Sequence, residues 1–191
     1  MILSRVLPFA KELLEKVVES GGVAVDATVG NGHDTQFLAE LVGENGLVYG
    51  FDIQDDAIEA TQNRLRENKL DDRVRLFTES HAKVKECVDD KYHGSIQGAM
   101  FNLGYLPGSD KSVITKSDST LAAIEGLMEI LMPGGLIVLV VYYGHEGGQD
   151  EKDSLTAFLH NMDQTNAHVL QYQFLNQKNT PPFVVAIEKR S

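Results

Sequence analysis

The sequence predicts an α/β fold, in which helices cover both faces of a mostly parallel, seven-stranded sheet with an antiparallel C-terminal strand. Strand-like apolar runs alternate with segments of helical periodicity through most of the 191 residues. Near the C-terminus, residues 168–174 and 183–188 form two strand-like runs without a helix between them, which favours an antiparallel pair. The length fits one domain over residues 1–191.

The remaining elements follow from the spacing of apolar residues. The segments with helical spacing are 5–20, 55–68, 117–132 and 151–162, together with the one that follows Asp34. The strand-like runs before the C-terminal pair are 23–26, 47–52, 74–78, 95–102 and 136–143. Residues 136–143 are almost all apolar, as in a strand covered on both faces. We expect Pro133-Gly134-Gly135 to separate this strand from the preceding helix.

Composition and charge exclude several classes of function. The net charge of −11 counts against broad nonspecific nucleic-acid binding, which needs clustered Lys and Arg. Two local basic clusters remain, namely Arg64, Arg66, Lys69, Arg73 and Arg75, and Lys111 with Lys116. Cys87 is the only cysteine, which excludes an internal disulfide and a cysteine metal cluster. Without an apolar run of membrane-spanning length or a signal-peptide pattern, we expect a cytoplasmic protein that does not bind membranes.

A glycine turn follows the first predicted strand. Gly30 and Gly32 allow a sharp bend and the close approach of a ligand. Asp34 and Thr35 are expected to cap the next helix, whose N-terminus offers free N–H groups and the positive end of the helix dipole. The pattern predicts a ligand site, although glycine turns also join strands to helices for structural reasons alone.

Two acidic residues end the first two strands. Asp52 lies about 20 residues beyond the turn, the spacing at which an acid binds ribose hydroxyls in nucleotide-binding folds. Its charge would repel a ribose phosphate, so we expect an adenosine with a free ribose. Asp26 suits a cationic ammonium better than a phosphate. Thr35 stands where the dinucleotide fingerprint has its third glycine, which argues against an NAD-linked oxidoreductase.

This combination resembles the cofactor site of the Rossmann-like class I S-adenosylmethionine (SAM) methyltransferases, whose loop reads acid-x-Gly-x-Gly-x-Gly. Thr28 replaces the first glycine, and its hydroxyl can still donate to the methionine carboxylate. Residues at the end of the third strand would flank the adenine. The predicted cofactor-binding residues are Asp26, Thr28, Gly30, Asn31, Gly32, Asp34, Thr35, Asp52, Gln54, Ser80, His81 and Asn102.

A second motif follows the fourth strand. Residues 102–108 resemble the Asn/Asp-Pro-Pro-Tyr/Phe motif of amino-methyltransferases, in which the Asn or Asp holds the target amine. Asn102 and Tyr105 stand at the matching ends, while Leu103 and Gly104 replace the prolines. After the fifth strand come Tyr142, Tyr143 and His145. The predicted catalytic residues are Asn102, Tyr105, Tyr142 and His145, with His145 a candidate base, although a histidine in a glycine loop is more often structural or exposed.

Over nearly its whole length the chain is similar to the YtqB-type methyltransferases, a family long described as rRNA methylases. The similarity is most specific at 26–35 and 102–108, at Tyr142-Tyr143-Gly144-His145 with Gly147-Gly148, and at Asn176-Gln177-Lys178-Asn179 with Pro181-Pro182-Phe183. It implies methylation of the amine of 5-aminomethyl-(2-thio)uridine at wobble position 34 of tRNA, to give the methylaminomethyl form. The cofactor would be SAM, and no metal ion would take part.

The partner implied by the similarity is the anticodon stem-loop of tRNA. Lys111, Lys116 and Lys178 are the candidate phosphate contacts, and a homodimer would enlarge the small surface available to RNA. Three alternatives stay open from the residues themselves. These are methylation of rRNA, methylation of a small-molecule amine or hydroxyl, and a SAM-binding protein without catalysis.

Overall fold

The computed structural model describes residues 2–104 and 117–191, and its strands form one seven-stranded sheet in the order β3-β2-β1-β4-β5-β7-β6. The strands are β1 (Val23–Asp26), β2 (Leu47–Asp52), β3 (Val74–Thr78), β4 (Ile96–Leu103), β5 (Leu131–Val141), β6 (Ala167–Tyr172) and β7 (Phe183–Lys189). The neighbours among β1 to β5 pair in parallel, and β7 runs antiparallel to both β5 and β6. The predicted mixed sheet is confirmed.

Six helices flank the sheet in the described part of the chain. They are α1 (Val6–Glu15), α2 (His33–Val42), α3 (Asp55–Glu67), α4 (Val84–Cys87), α5 (Ser117–Ile130) and α6 (Gly148–His160), with short 3₁₀ turns at Asp71–Arg73, His81–Lys83 and Asp90–Tyr92. Apolar residues of α1, α2 and α3 pack on one face, and those of α4, α5 and α6 pack on the other. None of these helices is long and apolar enough to cross a membrane.

The central strands are buried on both faces, as the apolar run in β5 predicts. Ile137 and Leu139 belong to one buried cluster, whereas Val138 and Val140 belong to the other. Alternate side chains of a strand point to opposite faces, so a strand between two helix layers needs apolar residues at every position.

The strand order reverses between β1 and β4, and this places the ligand crevice. β1 pairs with β2 on one side and with β4 on the other. The helix that follows β1 packs on one face, and the helix that follows β4 packs on the opposite face. In open α/β sheets, ligands bind outside the carboxyl ends of the strands at such a point. Asp26 and Asn102 both lie at this edge.

Three predicted boundaries are wrong by three residues or more, and the others differ from the structure by at most two residues. β5 begins at Leu131 because Pro133-Gly134-Gly135 is accommodated inside the strand, opposite a register shift between Ile96 and Gly98. α6 begins at Gly148 because Gly147, with φ +78°, provides a left-handed N-cap. α1 ends at Glu15 instead of continuing to residue 20.

Candidate active site

Asp26 binds residues on both sides of the glycine turn. Its side chain is fully buried, and its carboxylate accepts hydrogen bonds from the Thr28 N–H at 3.1 Å and from the Thr35 hydroxyl at 2.6 Å. Burial, followed by the nearby charge of Asp34, raises the pKa of Asp26 to about 7. The structure therefore uses Asp26 to position the loop.

The predicted capping of α2 by Asp34 and Thr35 is wrong. Gly32, with φ +77°, is the N-cap, and its carbonyl accepts the Gln36 N–H at 2.9 Å. Asp34 and Thr35 lie in the first turn of the helix, so their side chains are available for contacts with other elements. Thr35 bonds to Asp26, and Asp34 bonds to residues of α1 and β4.

The two glycines fit a turn that packs tightly on α3. The Gly30 carbonyl accepts a hydrogen bond from the Thr61 hydroxyl at 3.0 Å. A Cβ atom on Gly32 would lie only 2.6 Å from Thr61 Oγ1. Arg64, also on α3, donates from Nε to the Asn31 carbonyl at 2.8 Å. From the sequence, Arg64 is only a member of a basic cluster, because nothing in the local pattern indicates a contact with the turn.

Asp52 joins the end of β2 to the same turn. Its Oδ2 accepts the Gly30 N–H at 2.9 Å, and its Oδ1 accepts the Gln54 N–H at 3.0 Å. Both oxygens keep a second lone pair, so the oriented carboxylate can still accept two ribose hydroxyls.

His81 follows β3 and has one ring nitrogen that is buried without a hydrogen-bond partner among the described residues. Its Nδ1 lies 2.9 Å from the Ala27 carbonyl oxygen, and since a carbonyl only accepts, Nδ1 carries the proton. Nε2 is then an acceptor, and it is buried without a hydrogen-bond partner among the described residues. Burial lowers the pKa of His81 and so favours the neutral ring. The neighbouring Ser80 caps the 3₁₀ turn by accepting the Ala82 N–H at 3.2 Å.

Asn102 connects three elements at the end of β4. Its backbone N–H donates to the Thr28 hydroxyl at 2.7 Å, and its side-chain Nδ2 donates to Asp34 Oδ2 at 3.2 Å. Lys11 Nζ, from α1, lies 3.2 Å from Asp34 Oδ1. Lys11 is a site residue that sequence reasoning missed, because its partner is remote in the chain.

The two tyrosines after β5 have different environments. The Tyr142 N–H donates to the Leu103 carbonyl at 2.9 Å, and its side chain is 37% exposed. Burial of its other part, together with the charge of Asp34, raises the pKa of Tyr142. Tyr143 instead packs edge-on against Phe183, with ring centroids 5.8 Å apart. Tyr142 is therefore the better placed of the two to stack on a substrate.

A small pocket lies beside Tyr142 and α6. Leu103, Val141 and Leu155 contribute apolar walls, and Glu151 adds a carboxyl group. The pKa of Glu151 is raised, because the effect of burial outweighs the opposite effect of the nearby His145. His145 lies in the loop before α6, and its Nδ1 is 3.1 Å from the Glu146 carbonyl oxygen. Sequence patterns do not single out Glu151 as a site residue, because a single acid in a polar helix is common.

The predicted residues Tyr105, Lys111 and Lys116 lie outside the described residues. Within the described ranges, no group of three or more His, Cys, Asp or Glu side chains could hold a metal ion.

Residues 48–188 match the protein family described as "Putative rRNA methylase". The chain belongs to this family. Members are SAM-dependent methyltransferases, and SAM is the cofactor, as the resemblance of the glycine turn predicts. The site fits that cofactor, because the Asp52 carboxylate is oriented at the end of β2 and the buried His81 Nε2 lacks a partner among the described residues.

Known proteins of this kind resemble the chain over nearly its full length. The "tRNA (mnm(5)s(2)U34)-methyltransferase, chloroplastic" of Arabidopsis thaliana is 40% identical over 185 residues, which are 93% of this chain and 67% of that protein. The crystal structure of a "putative rRNA-methylase" from Clostridium thermocellum is 42% identical with a TM-score of 0.95, and the match covers 99% of this chain and 100% of that chain.

Of two further relatives, one has a ligand bound and the other matches only part of the chain. A "putative methyltransferase" from Streptococcus mutans in complex with SAH is 39% identical with a TM-score of 0.89, over 98% of this chain and 99% of that chain. The "Ribosomal RNA small subunit methyltransferase H" of Dictyoglomus turgidum is 35% identical over 86 residues, which are 44% of this chain but only 28% of that protein.

Proposed function

We propose that the protein methylates the primary amine of 5-aminomethyl-(2-thio)uridine at position 34 of tRNA, giving 5-methylaminomethyl-(2-thio)uridine. The observation that carries the proposal is the position of Asn102, at the crevice end of β4 and bonded both to the glycine turn and to α2. An amide at this point can hold an amine next to the cofactor. The named activity of the Arabidopsis thaliana relative, 40% identical over 93% of this chain, supports the choice of amine.

The cofactor would lie along the carboxyl ends of β1, β2 and β3. SAM supplies an electrophilic methyl group when it is bound. Thr28 and the backbone of residues 30–32 would hold its methionine end, and Asp52 with Gln54 would hold the ribose. Ser80 and His81 would contact the adenine, with the neutral His81 ring offering Nε2 as an acceptor. Asp26 and Arg64 keep the turn in place.

The chain's own part in the reaction is to orient the amine and remove a proton. The amine attacks only with its lone pair free, so Asn102 would accept one amine N–H through Oδ1 and direct the lone pair toward the methyl group. Tyr142, together with Tyr105, would stack on the uracil ring. His145 would take the proton that the amine loses.

The anticodon loop is already single-stranded, so presenting position 34 to the crevice costs little. An acidic protein then needs only a few cations near its site. Lys178, in the exposed connection between β6 and β7, is one candidate beside Lys111 and Lys116. We place this activity in one domain over residues 1–191, in the cytoplasm, with a homodimer as the form that binds tRNA.

A second candidate is methylation of rRNA, which the description of the family favours. The same catalytic residues would serve, and only the RNA that reaches Asn102 would differ. The net charge of −11 favours a small-molecule substrate over either RNA, so this possibility belongs in the same assay.

The test is to incubate the protein with methyl-labelled SAM and bulk tRNA from a strain that lacks its gene, and to identify labelled nucleosides by mass spectrometry. Label in the methylaminomethyl nucleoside is expected for the wild type and not for Asn102→Ala, although both should bind SAM. Absence of label from every tRNA nucleoside, with SAM binding demonstrated, would refute the proposal. Label from parallel incubations with rRNA or small amines would then identify the substrate.

A further inference from the structure

We propose that Asp34 is a positioning residue for methyl transfer, which fixes the side-chain amide of Asn102 so that Oδ1, and not Nδ2, is presented to the substrate amine. The inference rests on the proposed role of Asn102. It assigns a function in the reaction to a residue that the sequence suggested only as a helix cap and cofactor contact.

The two ends of the Asn102 amide have opposite hydrogen-bonding character, and a rotation of the amide would exchange them. Asp34 Oδ2 lies 3.2 Å from Nδ2. A carboxylate only accepts hydrogen bonds, so the rotated amide would bring two acceptor oxygens into contact. Asp34 is only 9% exposed, so water could not easily separate these two oxygens. The backbone of Asn102 is anchored independently by its N–H bond to Thr28.

Asp34 is itself held from the opposite side. Lys11 Nζ lies 3.2 Å from Oδ1, which leaves Oδ2 for Asn102, and the same Nζ is 4.8 Å from the centre of the Phe37 ring. The carboxylate thus has a different partner for each oxygen. Its charge also makes Asp26 harder to ionise.

The orientation of the amide decides whether the amine can react. A neutral amine has N–H donors and a single lone pair. If Oδ1 faces the amine, it accepts an N–H and leaves the lone pair free to attack the methyl carbon. If Nδ2 faced the amine, its N–H would donate to that lone pair and block the attack. Asp34 excludes the second arrangement before the substrate arrives.

The test exchanges the two side chains. In Asp34→Asn, either end of the Asn102 amide can face residue 34, so we expect kcat to fall by about 10-fold to 100-fold while the KM for SAM changes little. In the double variant Asp34→Asn with Asn102→Asp, the residue 34 amide donates to the new carboxylate, whose other oxygen faces the amine. We expect this exchange to recover most of the lost kcat. Glu40→Gln, which removes an exposed charge from the same helix, is the matched control.

Asn102→Asp alone gives a second, independent signature. It places two carboxylates about as close as the present 3.2 Å bond, so one must be protonated for the contact to form. The ratio of its kcat to that of the wild type should therefore rise as the pH falls, because the substrate amine is the same for both proteins. The other charged or titratable groups around Asp34 are Lys11, Asp26 and Tyr142, and all of them are unchanged in this variant. This variant also decides the question if Asp34→Asn does not fold.

An Asp34→Asn variant with wild-type kcat would overturn the inference, and so would a double variant no more active than Asp34→Asn. The Asn102 side-chain amide signal in an NMR spectrum provides a readout that needs no substrate. We expect it to shift in Asp34→Asn but not in Glu40→Gln, and an unchanged signal would also contradict the inference. If the wild type methylates no tRNA nucleoside, the proposed function fails, while the amide signal still decides whether Asp34 holds Nδ2.

Discussion

Asp26 is a buried acid that makes the stability of the fold depend on pH. Its pKa of about 7 in the folded protein lies above the ordinary value of 3.8, so the folded state binds the proton more tightly than the unfolded state does. The stability from this proton is fully present below pH 3.8 and is lost as the pH rises through about 7. The loss is at most about 1.4 kcal/mol per pH unit across this window.

We therefore expect Asp26→Asn to remove this pH dependence. The Asn oxygen can still accept the Thr28 N–H, and its Nδ2 can donate to the Thr35 hydroxyl. Chemical denaturation at several pH values between pH 4 and pH 8 measures the free energy of unfolding. As the pH rises, this free energy should fall for the wild type relative to the variant. His81, whose lowered pKa gives the opposite slope, is present in both proteins and cancels in the difference. Parallel stability curves would contradict a protonated Asp26.

At the scale of elements, the turn between β1 and α2 is shaped by its contact with α3, and Gly32→Ala tests this contact. An Ala with positive φ costs about 1 kcal/mol, and a Cβ at 2.6 Å from Thr61 Oγ1 adds roughly 1–3 kcal/mol of overpacking. Denaturation and SAM titration should show lower stability and weaker SAM binding.

Gly134→Ala is the matched control for this prediction. Gly134 has φ +81°, close to the +77° of Gly32, but a Cβ there would meet no atom within 4 Å. The control should therefore lose only the backbone contribution and keep its SAM affinity. Equal losses in the two variants would show that the packing against Thr61 is unimportant.

The comparison of elements shows which structural features a sequence reveals. β2 and β3 have the predicted bounds because each is a short apolar run between polar residues. The predicted start of β5 is wrong because a Pro-Gly-Gly segment usually ends regular structure. Only the pairing of β5 with β4 shows that the sheet accommodates this segment. The predicted N-cap of α2 is wrong because the helix begins at a glycine with positive φ, without the side-chain cap that Asp34 and Thr35 suggested.

At the scale of the whole molecule, the site joins segments that are distant along the chain. Asp52 and Asn102 could be predicted because both end apolar strands, and strand ends meet at one edge of the sheet. Lys11 and Arg64 could not, because each bonds to a residue far away in sequence and belongs to an ordinary amphipathic helix. Local periodicity thus predicts which edge carries the site, while the polar residues that fix its geometry depend on the packing of whole helices.

The overall charge makes a last prediction about RNA binding. With a net charge of −11, long-range attraction to RNA is weak, so binding to an anticodon stem-loop should depend on a few lysines. Each phosphate contact on a single strand contributes about −0.7 to the slope of log K against log salt concentration, so Lys111, Lys116 and Lys178 together predict a slope of about −2.

Fluorescence anisotropy over a series of salt concentrations measures this slope. Lys178→Gln should make it shallower by about 0.7. Lys16→Gln is the matched control. Lys16 is exposed at the C-terminal end of α1, shortly before the chain enters the N-terminal end of β1. The crevice lies at the opposite, carboxyl end of that strand. The control should leave the slope unchanged. A slope several times steeper, or one reduced equally by both variants, would mean that RNA contacts a much wider surface than the edge around Asn102.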